Sequence, residues 1–231
     1  MRRYQRRTQH QVRVRQSNVN RAVAQYFSIH HTHPQRRLIS QAVAILRNGG
    51  LIAYPTDSCY ALGCVLGNKQ ALDVIIAIRK LDEHHNFTLV CRDLSELGSY
   101  ARVDNTAFRM LKAFTPGPYT FILKATREVP RRAQNPKRRT VGIRVPDNVV
   151  ASSLLDSLGE PLLSSTLLLP GADLPLTDPK DIFDRLGDRL DLVIDGGYCG
   201  VEATSVVDLT VQPPRVLRKG LGDTSSFETA A

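Results

Sequence analysis

Apolar residues begin to recur at helical spacing with Leu38, Ile39, Ala42, Val43, Ile45 and Leu46, and Asn48-Gly49-Gly50 closes the run as a glycine C-cap does. The apolar stretch 51–54 follows at once and reads as a buried strand. It is broken by Pro55-Thr56-Asp57 and resumes toward Gly63. A second helix is predicted over 71–80, where Leu72, Val74, Ile75, Ile76 and Ile78 make a wide apolar face. Residues 87–91 are strand-like, 94–100 and 106–114 helical, and Thr115-Pro116-Gly117-Pro118 ends the latter helix sharply. Strands are predicted at 119–125 and 141–145, a helix at 149–158, a strand at 162–169 and a helix at 179–190. Strand-like segments at 192–195, 205–209 and 216–218 complete the series.

Helix and strand alternate with short turns and no internal repeat, which predicts one α/β domain over residues 24–222. The 231 residues, 42% hydrophobic and 23% charged, are enough for a substantial core. No apolar run reaches the roughly 20 residues that span a bilayer, and no secretory signal is visible, so a soluble, cytoplasmic protein is expected. Residues 223–231 are small and polar and read as a frayed tail.

Charge changes this picture at one end. Residues 1–56 hold ten arginines and no acid, which leaves 21 basic against 22 acidic residues over 57–231. The net charge of +9 therefore describes an arm, residues 1–23, more than a domain. An acid-free arginine segment attracts phosphate backbones through counterion release, and it is equally the composition of a disordered tail. Between the predicted strands at 119–125 and 141–145, Arg131, Arg132, Lys137, Arg138 and Arg139 form a basic loop, readable as a solvated turn or as a phosphate-binding surface.

Four cysteines, Cys59, Cys64, Cys91 and Cys199, lack C-x-x-C spacing and read as buried free thiols. His30, His31 and His33 cluster without cysteine or carboxylate neighbours and read as solvated, so no protein-held metal is expected. Neither a P-loop, a G-x-G-x-x-G nor a G-x-S-x-G occurs. Polar or basic residues do recur at predicted strand ends, namely Thr56, Arg144, Thr166, Ser205 and Arg218. In an open α/β sheet such positions converge on one crevice. Pro55 fixes the chain direction after the first strand, so that Thr56 and Asp57 either face that crevice or mark an ordinary strand exit.

In order, Tyr54-Pro55-Thr56-Asp57, Pro116-Gly117-Pro118-Tyr119-Thr120, Val141-Gly142-Ile143-Arg144-Val145-Pro146, Pro161-Leu162-Leu163-Ser164-Ser165-Thr166, Thr204-Ser205-Val206-Val207-Asp208 and Val216-Leu217-Arg218-Lys219-Gly220 resemble the motifs of the YrdC family. Those proteins are the threonylcarbamoyl-adenylate synthases and their relatives. Ile78-Arg79-Lys80 followed by His85-Asn86-Phe87-Thr88-Leu89-Val90-Cys91-Arg92-Asp93-Leu94 is similar to the YciO branch. The resemblance covers 24–222 and implies a twisted, open, mixed sheet flanked by helices, with a concave basic cleft.

It also implies ligands: ATP with Mg²⁺, L-threonine and bicarbonate for the synthases, and RNA (double-stranded RNA, tRNA or rRNA) as a partner for the YciO branch. By resemblance Thr56, Arg144, Thr166 and Thr204 hold the amino acid, and Arg79, Lys80, Ser205 and Arg218 line the nucleotide side. RNA is expected on Arg131, Arg132, Lys137, Arg138 and Arg139. No residue is assigned as catalytic. The chain departs from the synthase pattern at two places: Arg79-Lys80-Leu81 stands where the synthases carry Lys-x-Arg, and Thr166-Leu167-Leu168 where they carry Ser-x-Asn. An RNA-binding function with ATP as a further ligand, and a weakened threonylcarbamoyl-adenylate synthase acting in tRNA modification, are the two functions this resemblance sets against each other.

Overall fold

The computed structural model describes residues 23–82 and 85–228. The arginine arm at 1–22 lies outside the described residues. In chain order the elements are β1 (Gln25–Ser28), α1 (Arg36–Arg47), β2 (Ile52–Tyr54), β3 (Ala61–Val65), α2 (Lys69–Arg79), β4 (Thr88–Val90), α3 (Leu97–Tyr100), β5 (Ala101–Arg102), α4 (Asn105–Phe114), β6 (Tyr119–Ala125) and β7 (Thr140–Arg144). They continue with α5 (Val149–Leu158), β8 (Leu162–Thr166), α6 (Pro179–Leu186), β9 (Leu192–Asp195), β10 (Ser205–Asp208), β11 (Arg215–Arg218) and α7 (Ser225–Glu228). The strands form one mixed sheet in the order β1-β9-β2-β3-β8-β4-β7-β6-β10-β11, with β5 added against β6. Among the described residues no helix is long and apolar enough to cross a membrane.

Period-two alternation decides which face each strand residue serves. Leu51, Ala53, Leu62, Leu89, Phe121, Leu123, Ile143, Leu163 and Val207 point into the larger core with the buried sides of α2, α4 and α6. Ile52, Tyr54, Ala61, Leu162, Leu192 and Ile194 point the other way, under α1 and α5. Those two helices cover the β9-β2-β3-β8 side of their face and reach Val90 of β4. On β4, β6, β7 and β10 the same face carries Thr88, Val90, Thr120, Ile122, Arg144, Thr204 and Val206, and there the sheet is open as a cavity.

Glycine is required at two points on that face. A Cβ on Gly142 would stand 2.9 Å from both Thr120 Cγ2 and Thr88 Oγ1, so any side chain there would displace the cavity floor. A Cβ on Gly63 would stand 2.7 Å from the ring of Tyr54, whose hydroxyl shares a 2.8 Å hydrogen bond with Ser164 Oγ at the cavity edge.

Residues 223–228 differ from the frayed tail expected over 223–231, of which 229–231 lie outside the described residues. The Asp223 carboxylate accepts from Ser225 N at 3.0 Å and starts the short helix α7, and Phe227 is buried against Phe114, Tyr119 and Phe121. One aromatic residue in a polar segment is enough to dock it, because burying a ring is worth more than the segment's own propensity. Phe227→Ala is expected to lower the unfolding free energy by about 3 kcal/mol, measured by urea unfolding. β1 and β5, absent from the sequence-based elements, are an exposed edge strand and a two-residue pairing that carry no apolar alternation.

Candidate functional site

The cavity encloses about 510 Å³. Its floor is the hydroxyl-bearing sheet face: Thr88, Thr120, Ser164 and Thr204. Arg79, Arg144 and Arg218 enter from three different elements, and Asp173 and Glu202 stand at the exposed mouth. The lining is therefore of mixed charge, its most deeply buried ion being the cation Arg144.

Arg144 ends β7 and is 6% exposed. Its Nη2 donates to Ser58 Oγ at 3.0 Å, to Thr56 Oγ1 at 3.1 Å and to the Asp57 carboxylate. Pro55 ends β2 and lets the next residues turn back, so Thr56, Asp57 and Ser58 present all three side-chain oxygens to one guanidinium. Thr56 spends its own proton on Cys59 O at 2.6 Å and accepts from Cys59 N at 3.3 Å. It therefore positions Arg144 from behind and is not among the residues lining the cavity. Asp57 does the same as an ion-pair partner. The buried Asp57 Oδ2 and Arg144 Nε have no partner, which leaves the guanidinium edge with a donor to offer.

Arg218, near the end of β11, donates from Nη2 and Nε to Thr204 O at 2.8 and 3.0 Å and from Nη2 to Thr204 Oγ1 at 3.1 Å. Thr204 Oγ1 in turn pairs with Thr120 Oγ1 at 2.9 Å. Arg79 reaches in from the last turn of α2, bonding Thr166 O and, at 3.1 Å, Ser165 Oγ. Its buried Nε has no partner. Burial lowers the pKa of both arginines, with the charge of Arg144 adding for Arg218 and that of Arg218 adding for Arg79. Arginine stays protonated under such pressure, so the cavity holds crowded cations whose natural relief is an anion.

Of the predicted amino-acid residues, Arg144, Thr166 and Thr204 line one cavity and Thr56 stands behind it. Of the predicted nucleotide residues, Arg79 and Arg218 line it. Lys80 does not: it is the exposed C-cap of α2, in left-handed conformation at φ +48°. Ser205 is wholly buried, giving its proton to Gly222 O and accepting from Gly220 N at 2.9 Å, and thereby fastens the turn that follows Arg218. Leu168 lines the cavity where the synthase pattern has an amide.

The basic loop is elsewhere. It joins β6 to β7 at the end opposite Arg144, four strand residues or about 13 Å away. Arg132 pairs with Asp73, and Arg138 with the buried Asp208, while Arg131, Lys137 and Arg139 are exposed. None of the five lines the cavity.

His85, Asn86, Thr120, Ser164 and Cys59 line the cavity without having been singled out from the sequence as site residues. Burial pushes the Cys59 thiol up, which keeps it protonated. Burial, then the charge of Arg79, pulls His85 down to about 4 from an ordinary 6.5. The unfolded chain thus takes up this proton near pH 6.5 and the fold only near 4, so acidification through that window favours unfolding. His85→Gln should flatten that acid limb of the stability profile.

The arginines that enter this cavity stand at the Gly-Ile-Arg and Leu-Arg strand ends and at the end of α2, with Pro-Thr-Asp behind Arg144. The family model for Sua5, YciO and YrdC proteins, described as telomere recombination, matches residues 44–220, and the chain belongs to this family. The Escherichia coli YciO crystal structure is 56% identical, covers 88% of this chain and 99% of its own, and superposes with a TM-score of 0.86. A threonylcarbamoyl-AMP synthase of Halorhodospira halophila is 31% identical over 172 residues, 74% of this chain and 88% of that protein. Pyrococcus abyssi Sua5, solved with L-threonine, has the same fold at 24% identity and a TM-score of 0.81, covering 89% of this chain and 60% of its own.

Proposed function

We propose that this cavity condenses L-threonine, bicarbonate and ATP into threonylcarbamoyl-adenylate. The observation that carries the reading is the convergence of Arg79, Arg144 and Arg218 on one hydroxyl-floored cavity, in a chain related to a threonylcarbamoyl-AMP synthase. In the reaction the threonine amine forms a C–N bond with bicarbonate and water leaves. The resulting carbamate oxygen then bonds to the α-phosphorus of ATP as the bond to pyrophosphate breaks. Mg²⁺ arrives as the MgATP complex.

Each arginine has a task. Arg144, held by Thr56, Ser58 and Asp57, offers a fixed fork to the threonine carboxylate. Arg218 and Arg79 face the phosphates, where charge develops on the departing pyrophosphate. The hydroxyls of Thr120 and Thr204 orient the carbamate. Leu81 and Leu168 stand where the synthase pattern supplies two donors, and Lys80 faces outward and does not replace the first; loss of a donor of this kind costs about a hundred- to a thousandfold in rate. Slow turnover with retained binding is the expected behaviour. Calorimetric titration with L-threonine and with MgATP tests it: both bind to the unaltered chain, and Arg144→Lys loses threonine first. Absence of binding by either ligand contradicts the reading.

A second reading, RNA on the β6–β7 loop, rests on the exposure of Arg131, Lys137 and Arg139 on one side of the fold. Such binding depends on phosphate contacts and falls with salt. Replacing these three by alanine should weaken binding to double-stranded RNA and to tRNA and reduce the salt slope by two to three, while titration with MgATP is unchanged. A salt slope unaffected by the triple substitution removes the loop from consideration.

A further inference from the structure

We infer that His85 is a phosphate-contacting residue of this cavity that takes up a proton when a polyphosphate binds. The inference rests on the reading of the cavity as a nucleotide site and adds to it a group that the synthase pattern does not supply.

Lys80 and Leu81, following Arg79, contribute nothing to the cavity wall, whereas the chain a few residues later returns to it with His85 and Asn86. The ring of His85 packs edge-on against Phe87 with centroids 5.1 Å apart, and Phe87 is buried, so the imidazole is held in place. Its ring nitrogens make no hydrogen bond to a described residue. Among the described residues the charged groups acting on it are Arg79 from α2, Asp82 from its own segment and Arg218 from β11. Burial opposes its protonation most, the two arginines add to that, and Asp82 favours it. In the empty cavity the ring is therefore neutral.

A bound pyrophosphate or triphosphate reverses this balance. Its negative charge neutralises Arg79 and Arg218 and adds an attractive partner to the ring, so the imidazolium becomes the favoured form. One proton moves from solvent to His85 on binding and returns to solvent when pyrophosphate leaves, and no bond other than N–H is made or broken. His85 in this way supplies the positive charge that the pattern's second cation would and that Leu81 lacks. The consequence is a binding affinity that rises as pH falls through the midpoint of the bound state toward that of the free protein, about 4.

The test is a pH titration of the His85 ring resonance by NMR in the full chain, free and saturated with inorganic pyrophosphate, with sulfate as a second probe that does not itself titrate. The resonance is identified by its loss in His85→Gln. The expected result is a midpoint at least one pH unit higher with pyrophosphate bound, equivalent to about tenfold tighter binding by the protonated ring. A midpoint that does not move although pyrophosphate binds overturns the role of His85 and leaves the nucleotide reading standing. If neither pyrophosphate nor sulfate binds, both fall.

Discussion

Arg144→Ala is expected to abolish threonylcarbamoyl-adenylate formation and to lower the unfolding free energy by about 3–5 kcal/mol, the range for removing one partner of a buried ion pair. The guanidinium is the shared partner of Thr56, Asp57 and Ser58, and the Asp57 side chain is 11% exposed. Taking Arg144 away leaves that carboxylate buried beside two hydroxyls that can no longer compensate it. Stability and chemistry are lost for different reasons, and the double variant separates them. Asp57→Asn combined with Arg144→Ala removes the stranded charge and should recover part of the stability by thermal unfolding, while product formation stays absent. A single Arg144→Ala protein as stable and as active as the parent would show that the pair neither holds the turn nor meets substrate.

Arg218→Ala should behave in the opposite way, losing about ten- to a hundredfold in MgATP affinity with little change in melting temperature. A charge-assisted hydrogen bond to phosphate is worth about 1.5–3 kcal/mol. Among the described residues Arg218 bonds only Thr204, through its carbonyl and hydroxyl, and it sits near Arg144 and Arg79 in a site that burial already makes unfavourable for charge. Removing it relieves that crowding even as it removes a ligand. Titration calorimetry and melting curves on the same sample decide the matter. A fall in stability as large as that for Arg144→Ala would mark Arg218 as structural.

The two arginines show why parts of this site could be read in the sequence and others could not. Strand-end arginines stand out against apolar neighbours, and Gly142-Ile143-Arg144 and Leu217-Arg218 were recognisable for that reason. What could not be read was which polar residues share the open half of a sheet face. Thr120 and Thr88 lie inside strands, where an isolated threonine looks like ordinary β-propensity, and the cavity they line follows from α1 and α5 leaving β6, β7 and β10 uncovered. Lys80 illustrates the converse. Sequence proximity to Arg79 suggested a shared role, yet α2 ends at Arg79, and a single left-handed residue turns the lysine outward. Ser205 stands beside the cavity but bonds Gly222 O and Gly220 N instead of lining it, and the tight approach of Gly220 to Ala203 and Thr204 behind this is a property of the fold and not of the local sequence.

The same geometry separates the basic loop from the arginines of the cavity. The basic loop is organised by Asn135, whose Oδ1 accepts from Lys137 N at 3.2 Å and Arg138 N at 3.0 Å, and it belongs to the far end of the β6–β7 pair. Any polyanion it attracts meets a surface distinct from the cavity, so nucleotide and RNA phenotypes should be separable by substitution.

The most direct test of the account is incubation of the full chain with ATP, Mg²⁺, L-threonine and isotopically labelled bicarbonate, followed by detection of threonylcarbamoyl-adenylate. The account predicts slow, threonine-dependent accumulation of labelled product with matching release of pyrophosphate, and none with Arg144→Lys. Pyrophosphate and product both absent at high protein concentration and long times would contradict it.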